Sequence, residues 1–410
     1  MEHLSTDKIQ LAKRLSSDAV INLNAGAPGL TWRVVSGVEE ILGLESAWRK
    51  LELDCPNTVL FQSFDWCQNY LSFRAADESN AENFKPVVVT LWENKVLVGL
   101  MPLALQAKGR MTVLTGFSEP FQQYTEILLN PSIGKSKLRQ VFLDSLKSTG
   151  ADYFHFGQVR QDGQLARLLE GVVSPSGEQD AAPYVSLQAF DGYDEYLKTV
   201  KSKTRKNLRN ARNRLERDAP VVHHIARHGD LMAQVVKRAY EGREAWLESL
   251  GITSRAFRDD DFQAFLNCCA DDEQAKGIDT IAMSLTHGDT PISDQWGFVY
   301  RGRYYAFMAT WNPDYEAASP GRLHLGEVIK TCFDEGFETA DFMIPAASYK
   351  LTWTADAAPV RDYVLAISTR GMIYAKLWLD FARPLSKRIF FKLPAGLRGL
   401  LVKKILPTVE

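Results

Sequence analysis

Two stretches of the chain carry the apolar patterning of sheets. Residues 86–105, PVVVTLWENKVLVGLMPLAL, read as two apolar strands joined by a polar Glu-Asn turn, and MTVLTGF (111–117) as a third strand. Residues 279–311, DTIAMSLTHGDTPISDQWGFVYRGRYYAFMATW, read as strand, HGDT turn, strand, Arg-Gly turn and strand. Both three-stranded meanders are rich in β-branched and aromatic residues, which suit a pleated, half-buried surface. A helix-compatible segment follows each one. SKLRQVFLDSLKSTG (136–150) leads into ADYFHF (151–156), and GRLHLGEVIKTCFDEGFET (321–339) leads into ADFMI (340–344). Each helix ends near a glycine, and each following strand opens Ala-Asp-aromatic, at Asp152 and Asp341. Alternation over 340–344 predicts Ala340, Phe342 and Ile344 on one face, with Asp341 and Met343 on the other.

Meander, helix and strand in the same order, nearly half a chain apart, predict a duplicated α+β unit. Each copy is expected to be a mixed, mostly antiparallel sheet flanked by helices, with a parallel crossover at the strand–helix–strand step. The expected division is an N-terminal extension over 1–30, one domain over 31–180, a second over 184–370, and a basic segment over 371–410. The small, polar, Pro-containing stretch SPSGEQDAAP (174–183) marks the boundary.

Charge adds a second kind of pattern. In KSKTRKNLRNARNRLER (201–217) eight of the seventeen residues are Lys or Arg. Val200, Thr204, Leu208, Ala211 and Leu215 fall at helical spacing, and Lys203, Lys206, Arg209 and Arg212 lie off that stripe. The predicted helix packs on a domain and turns positive charge outward. The chain as a whole carries a net charge of −2, unlike a protein dedicated to coating DNA, so no DNA partner is expected. The segment KLWLDFARPLSKRIFFKLPAGLRGLLVKK (376–404) combines basic with Phe, Leu and Ile residues, as in a helix lying on an anionic membrane surface, although Pro384 and Pro394 interrupt it.

A chain of 410 residues with 45% hydrophobic and 11% aromatic content is long enough for two packed domains. Its five cysteines include no C-x-x-C pair, so neither a disulfide framework nor a zinc site is expected. His223, His224 and His228 lack ligand spacing, since neighbours on a strand face opposite ways, and no metal is expected. No apolar window of membrane-spanning length and no signal-peptide core is evident, and the expected location is cytoplasmic.

The chemistry concentrates in the second repeat. In ASPGRLHLGEVI (318–329), Ser319 is placed as an N-cap, Pro320 in the first turn, and Gly321 where it leaves amides uncovered. A helix N-terminus after a strand suits a phosphate, because free N–H groups and the helix dipole both favour an anion.

Together with FQSFDWCQNY (61–70), VGLMPL (98–103), SKTRKNLRNARNRLER (202–217), ADF (340–342) and SYKLTW (348–353), this motif resembles the CelD-like branch of the GNAT acyltransferase superfamily, related to the Fem-type peptidyltransferases. The resemblance runs from about Trp48 to Tyr374 and implies two GNAT-like domains in tandem. It implies acyl-CoA as co-substrate, cradled by the helix start at Ser319, Gly321, Arg322 and Leu323. The family's loop pattern Q/R-x-x-G-x-G/A is degenerate here, with Ala318 at its first position and Leu323 at its last. The first repeat offers only PSIGKSKL (131–138) at the matching place, so it is expected to bind acceptor or to be structural.

The resemblance also implies that Lys350 stabilises charge on the donor carbonyl. Asp341 is a general base or a structural anchor, and Tyr349 a proton donor or a packing residue. Arg205, Arg209 and Trp296 are expected on the substrate side, with the acceptor in a cleft between the domains. The expected reaction is N-acylation of an amine on a sugar, peptide or related acceptor, such as those of envelope or exopolysaccharide synthesis. The same residues are compatible with an aminoacyl-tRNA-dependent transferase, or with a non-catalytic scaffold that keeps the fold.

Overall fold

The computed structural model describes residues 19–24, 30–56, 58–76, 84–133, 135–271, 274, 277–374, 383–393 and 398. They divide into two compact units, one comprising Met1–Gln179 with Val360–Pro394 and the other Asp180–Pro359.

The first unit opens with β1 (Ala19–Asn24) and β2 (Leu30–Ser36), then three helices: α1 (Val38–Leu42), α2 (Glu45–Asp54) and α3 (Phe64–Ala76). The predicted meander follows as β3 (Lys85–Glu93), β4 (Val96–Lys108) and β5 (Met111–Gly116). Its first turn is made by Asn94 and Lys95, both at positive φ, which matches the right-handed twist of the strands it joins. The two-residue β6 (Leu128–Leu129) pairs with β4. Helix α4 (Lys135–Lys147) then carries the chain back to β7 (Tyr153–Arg160), which lies parallel to β5. Helix α5 (Gln164–Leu169) precedes β8 (Pro175–Ser186). Trp32, Leu103, Phe142, Leu146 and Phe154 pack in the core between α4 and the sheet.

The second unit repeats this order. After α6 (Tyr193–Thr199), the basic helix α7 (Ser202–Leu215), β9 (Val221–Ala226), the long α8 (Gly229–Ser249) and α9 (Asp261–Cys269), its meander is β10 (Asp279–His287), β11 (Thr290–Tyr300) and β12 (Arg303–Trp311). Helix α10 (Pro320–Asp334) returns the chain to β13 (Thr339–Asp341), parallel to β12. Leu325, Val328, Ile329 and Cys332 recur at i, i+3, i+4 and i+7 and bury against Ile281, Met283 and Tyr304.

Each sheet is completed by a strand from elsewhere in the chain. Val360–Ala366 of β14 (Ala357–Ala366) pairs antiparallel with β7, and Tyr184–Ser186 of β8 pairs antiparallel with β13. Two short helices follow, α11 (Thr369–Tyr374) and α12 (Arg383–Lys392). The rest of the basic 376–404 segment lies largely outside the described residues, as does the expected 1–30 extension apart from β1 and Leu30.

Residues 175–183 of the polar stretch belong to strand β8, held by its neighbours despite weak intrinsic preference. One local expectation is corrected. The strand expected over 340–344 stops at Asp341, because Met343 takes a left-handed φ of 57° and the pattern of alternating faces ends there. Among the described residues no helix is long and apolar enough to cross a membrane, and all five cysteines are free.

Candidate active site

The centre of the second sheet opens between β12 and β13. These strands pair only from Arg303/Thr339 to Tyr305/Asp341, whereas β12 runs on to Trp311. The divergence begins at a bulge. Trp296 of β11 faces Met308 and Phe298 faces Tyr305, so Ala306 and Phe307 both lie opposite Gly297. A Cβ at Gly297 would stand 1.9 Å from the Tyr305 carbonyl oxygen, so only glycine lets β11 approach the bulged strand. Beyond the bulge, β12 keeps its pairing to β11 but has no β13 partner on its other edge.

Helix α10 starts just past the end of β12. Ser319 is its N-cap but sits in the left-handed region (φ 50°), and its side chain makes no capping hydrogen bond. Pro320 has no N–H, while the amides of Arg322 and Leu323 both donate to the Ser319 carbonyl. Of the first turn, the Gly321 amide has no acceptor among the described residues. The Trp311 ring lies about 3.5 Å from where a Gly321 Cβ would be, so the end of β12 and the start of α10 face each other closely. The Arg322 Nε is buried without a partner, and Leu323 packs towards Leu215, Leu285 and Ile292.

The turn after β13 gathers the other expected residues. Asp341 is fully buried. It accepts a hydrogen bond from the Met343 amide (2.9 Å) and pairs with the Arg303 guanidinium (3.1 Å). Lys350 is nearly as buried, and its Nζ donates to the carbonyls of Met343 (3.0 Å) and Pro345 (3.1 Å). An ammonium has three N–H donors, so one remains. Burial pulls the Lys350 pKa down to about 8, with Arg243 acting the same way, against the attraction of Asp341 and Asp180. Tyr349 is half-buried, and desolvation raises its phenol above the usual range.

Helix α7 borders the start of α10. Arg214 donates to the Ala317 carbonyl (3.1 Å), and Arg212 pairs with both Glu327 and Glu216. Arg212 is thus tied down and does not belong to the outward basic face, which consists of Lys203, Lys206 and Arg209. Arg205 is half-buried on the same helix, with an unpartnered Nε. Trp296 is fully buried in β11, packed on Phe298 and Phe307. His223 and His324 meet edge to face beneath α10 and bond Thr331 and Ser293; burial lowers both pKa values, His223 to about 4. Among the described residues no group of three or more His, Cys, Asp or Glu could hold a metal.

The sequence reading missed Arg303, Gly297 and Arg243. Arg303 carried a faint signal as the residue that starts β12 directly after the Arg-Gly turn. The other two carried none.

The first unit has the equivalent divergence, since β5 and β7 pair only at Val113/Tyr153 and Leu114/Phe154. Here the chain fills it. Glu119 accepts a hydrogen bond from the Gly157 amide, and the Gln122 amide nitrogen lies 2.1 Å from where a Gly116 Cβ would be. Phe117, Phe121 and Tyr124 are all buried alongside. Asp152, the counterpart of Asp341, accepts from the Thr112 amide and the Ser368 hydroxyl.

The family-model match falls on the second unit. Residues 202–351, from the start of α7 to the turn bearing Lys350, match the family model described as acetyltransferase (GNAT) domain. The crystal structure of FemX is similar in fold, with a TM-score of 0.54 at 12% identity, covering 81% of this chain and 98% of that one. A tandem GNAT protein from the clavulanic acid biosynthesis pathway aligns with a TM-score of 0.44 at 10% identity, over 86% of this chain and 99% of that one. No curated protein matches the chain. Residues 202–351, which hold the β12–β13 opening, the start of α10 and the Lys350 turn, are thus similar to a GNAT acetyltransferase domain.

Proposed function

We propose that the protein is an N-acyltransferase that moves an acyl group from acyl-CoA to the amine of a sugar, peptide or related acceptor. The observation that carries this reading is the coincidence of the GNAT match with the β12–β13 opening, where a free strand edge meets a helix start. The donor's phosphates lie against the Gly321 amide and the head of α10, with Arg322 as a forked cationic partner. Its extended arm follows the unpaired edge of β12 from Ala306 onward, where main-chain groups await partners. The thioester then comes to the Lys350 turn.

There the amine lone pair attacks the thioester carbon. A C–N bond forms and the carbonyl oxygen becomes an oxyanion, which then re-forms the C=O bond as the C–S bond breaks with its electron pair moving to sulfur. The remaining N–H of the Lys350 ammonium stabilises the oxyanion in a nearly dry site. The amine sheds its proton to solvent, and Tyr349 passes its proton to the leaving thiolate and regains one from solvent. Asp341 works as an anchor, since both its oxygens are occupied by Arg303 and by the Met343 amide. The first unit, whose own opening is filled, serves acceptor binding or structure. Acceptors on envelope or exopolysaccharide precursors in the cytoplasm fit this scheme.

The test is amine-dependent release of free CoA from acetyl-CoA. Lys350→Ala is expected to lower turnover by at least about tenfold, and unchanged turnover would remove Lys350 from the mechanism. The exposed Lys203, Lys206 and Arg209 favour one second reading, in which the acyl donor is an ester carried on tRNA. RNase-sensitive material co-purifying with the protein, lost on reversing these three charges, supports that reading.

A further inference from the structure

Several arginines in the second unit pair with carboxylates, whereas Arg243, close to the proposed chemistry, does not. Arg238 of α8 grips Asp294 through two nitrogens (2.7 and 2.9 Å). Arg303 holds Asp341, Arg212 holds Glu216 and Glu327, and Arg227 holds Asp279 and Glu335. Arg243, little more than one turn after Arg238 on the same helix, is half-buried. Among the described residues it has neither an ion pair nor a hydrogen-bond acceptor. Its one close neighbour of note is the Trp246 ring, whose centroid lies 4.3 Å from the guanidinium carbon.

The position of Arg243 is fixed by the residue before it. A Cβ at Gly242 would stand 2.1 Å from the Thr310 hydroxyl, so α8 presses directly onto β12 beyond the bulge, beside the edge that β13 leaves free. From there Arg243 acts electrostatically on both Tyr349 and Lys350. Desolvation pulls its guanidinium below its ordinary pKa, with only Tyr349 opposing. Arg243 and Lys350 thus lie within electrostatic reach of each other, and Arg243 is partly dehydrated with no carboxylate paired to it among the described residues. Such an arrangement is costly unless an anion completes it. The flat guanidinium, stacked on an indole and open on its other face, suits the two oxygens of a carboxylate or phosphate.

We infer that Arg243 and Trp246 form the anchor for an oxyanion on the acceptor, so that the amine acylated belongs to an anionic molecule. This rests on the acyltransferase reading and narrows its substrate class. The oxyanion docks on Arg243, and the amine on the same molecule reaches the thioester beside Lys350.

The test uses the full chain with acetyl-CoA and two matched amine pairs, glycine against glycinamide and glucosamine 6-phosphate against glucosamine, read by thiol release. At least one anionic member is expected to have a kcat/KM at least about tenfold above its neutral twin, a difference worth about 1.4 kcal/mol. Arg243→Gln is expected to erase that preference, and Arg243→Lys to keep part of it. A preference confined to glycine assigns a carboxylate, and one confined to the sugar phosphate assigns a phosphate ester. Equal rates within both pairs, a preference that survives Arg243→Gln, or no release with any of the four amines overturns the proposal. Calorimetric binding of acetyl-CoA separates the failures. A chain that binds the thioester but ignores acceptor charge refutes the Arg243 site alone, whereas one that binds no thioester refutes the acyltransferase reading beneath it.

Discussion

Gly297 of β11 lies so close to the Tyr305 carbonyl of β12 that an added Cβ would stand 1.9 Å from that oxygen. This contact sits at the bulge at Ala306–Phe307, directly after the last β12–β13 pair, Tyr305/Asp341. Gly297→Ala must push the strands apart, at a cost of about 1–3 kcal/mol. The urea midpoint of the variant is expected to fall, and acetyl-CoA binding to weaken with it. An unchanged midpoint would mean that the opening does not depend on this approach.

The contrast between legible and hidden features follows from what is local. The meander turns at Asn94–Lys95 and Arg301–Gly302 and the apolar stripe of α10 declare themselves through neighbouring residues. Duplication was readable because those local signals recur in order. The bulge at Ala306–Phe307, the end of β13 at Asp341 and the strand character of 175–186 are imposed by partners distant in sequence. Asp341 and Lys350 stood out as residue types, but their engagement with Arg303 and with two carbonyls did not. Arg243 is one charge among many on an amphipathic helix, and only its lack of a carboxylate in three dimensions marks it.

Lys350 gives the pH dependence a sign. With a pKa drawn from the ordinary 10.5 to about 8, its ammonium is present at pH 7 and lost as pH rises through 8. Because the charged form stabilises the oxyanion, kcat is expected to fall above about pH 8, and Lys350→Ala to flatten that limb. Stability moves the other way. Between pH 8 and 10.5 the unfolded chain holds more protons than the folded one, so the Lys350 contribution to stability rises with pH. A rate that instead climbs through pH 8 would make Lys350 a base.

Arg303 separates the two roles open to Asp341. Paired at 3.1 Å, the two should show a coupling energy of at least about 1 kcal/mol in a double-mutant cycle of unfolding free energies. As an anchor pair, Arg303→Ala and Asp341→Asn are expected to lower kcat/KM to a similar degree. A large loss in Asp341→Asn with none in Arg303→Ala would assign the base role to Asp341.

Acetyl-CoA binding tests the donor site most directly. Gly321 has no left-handed φ, and a Cβ there makes only van der Waals contact with Trp311, so a side chain at this position covers the head of α10. Isothermal titration of acetyl-CoA is expected to give saturable binding to the wild-type chain, and none to Gly321→Trp at an unchanged Tm. Heat of binding absent from the wild type, or equal in the two proteins, would contradict a donor seated at the start of α10.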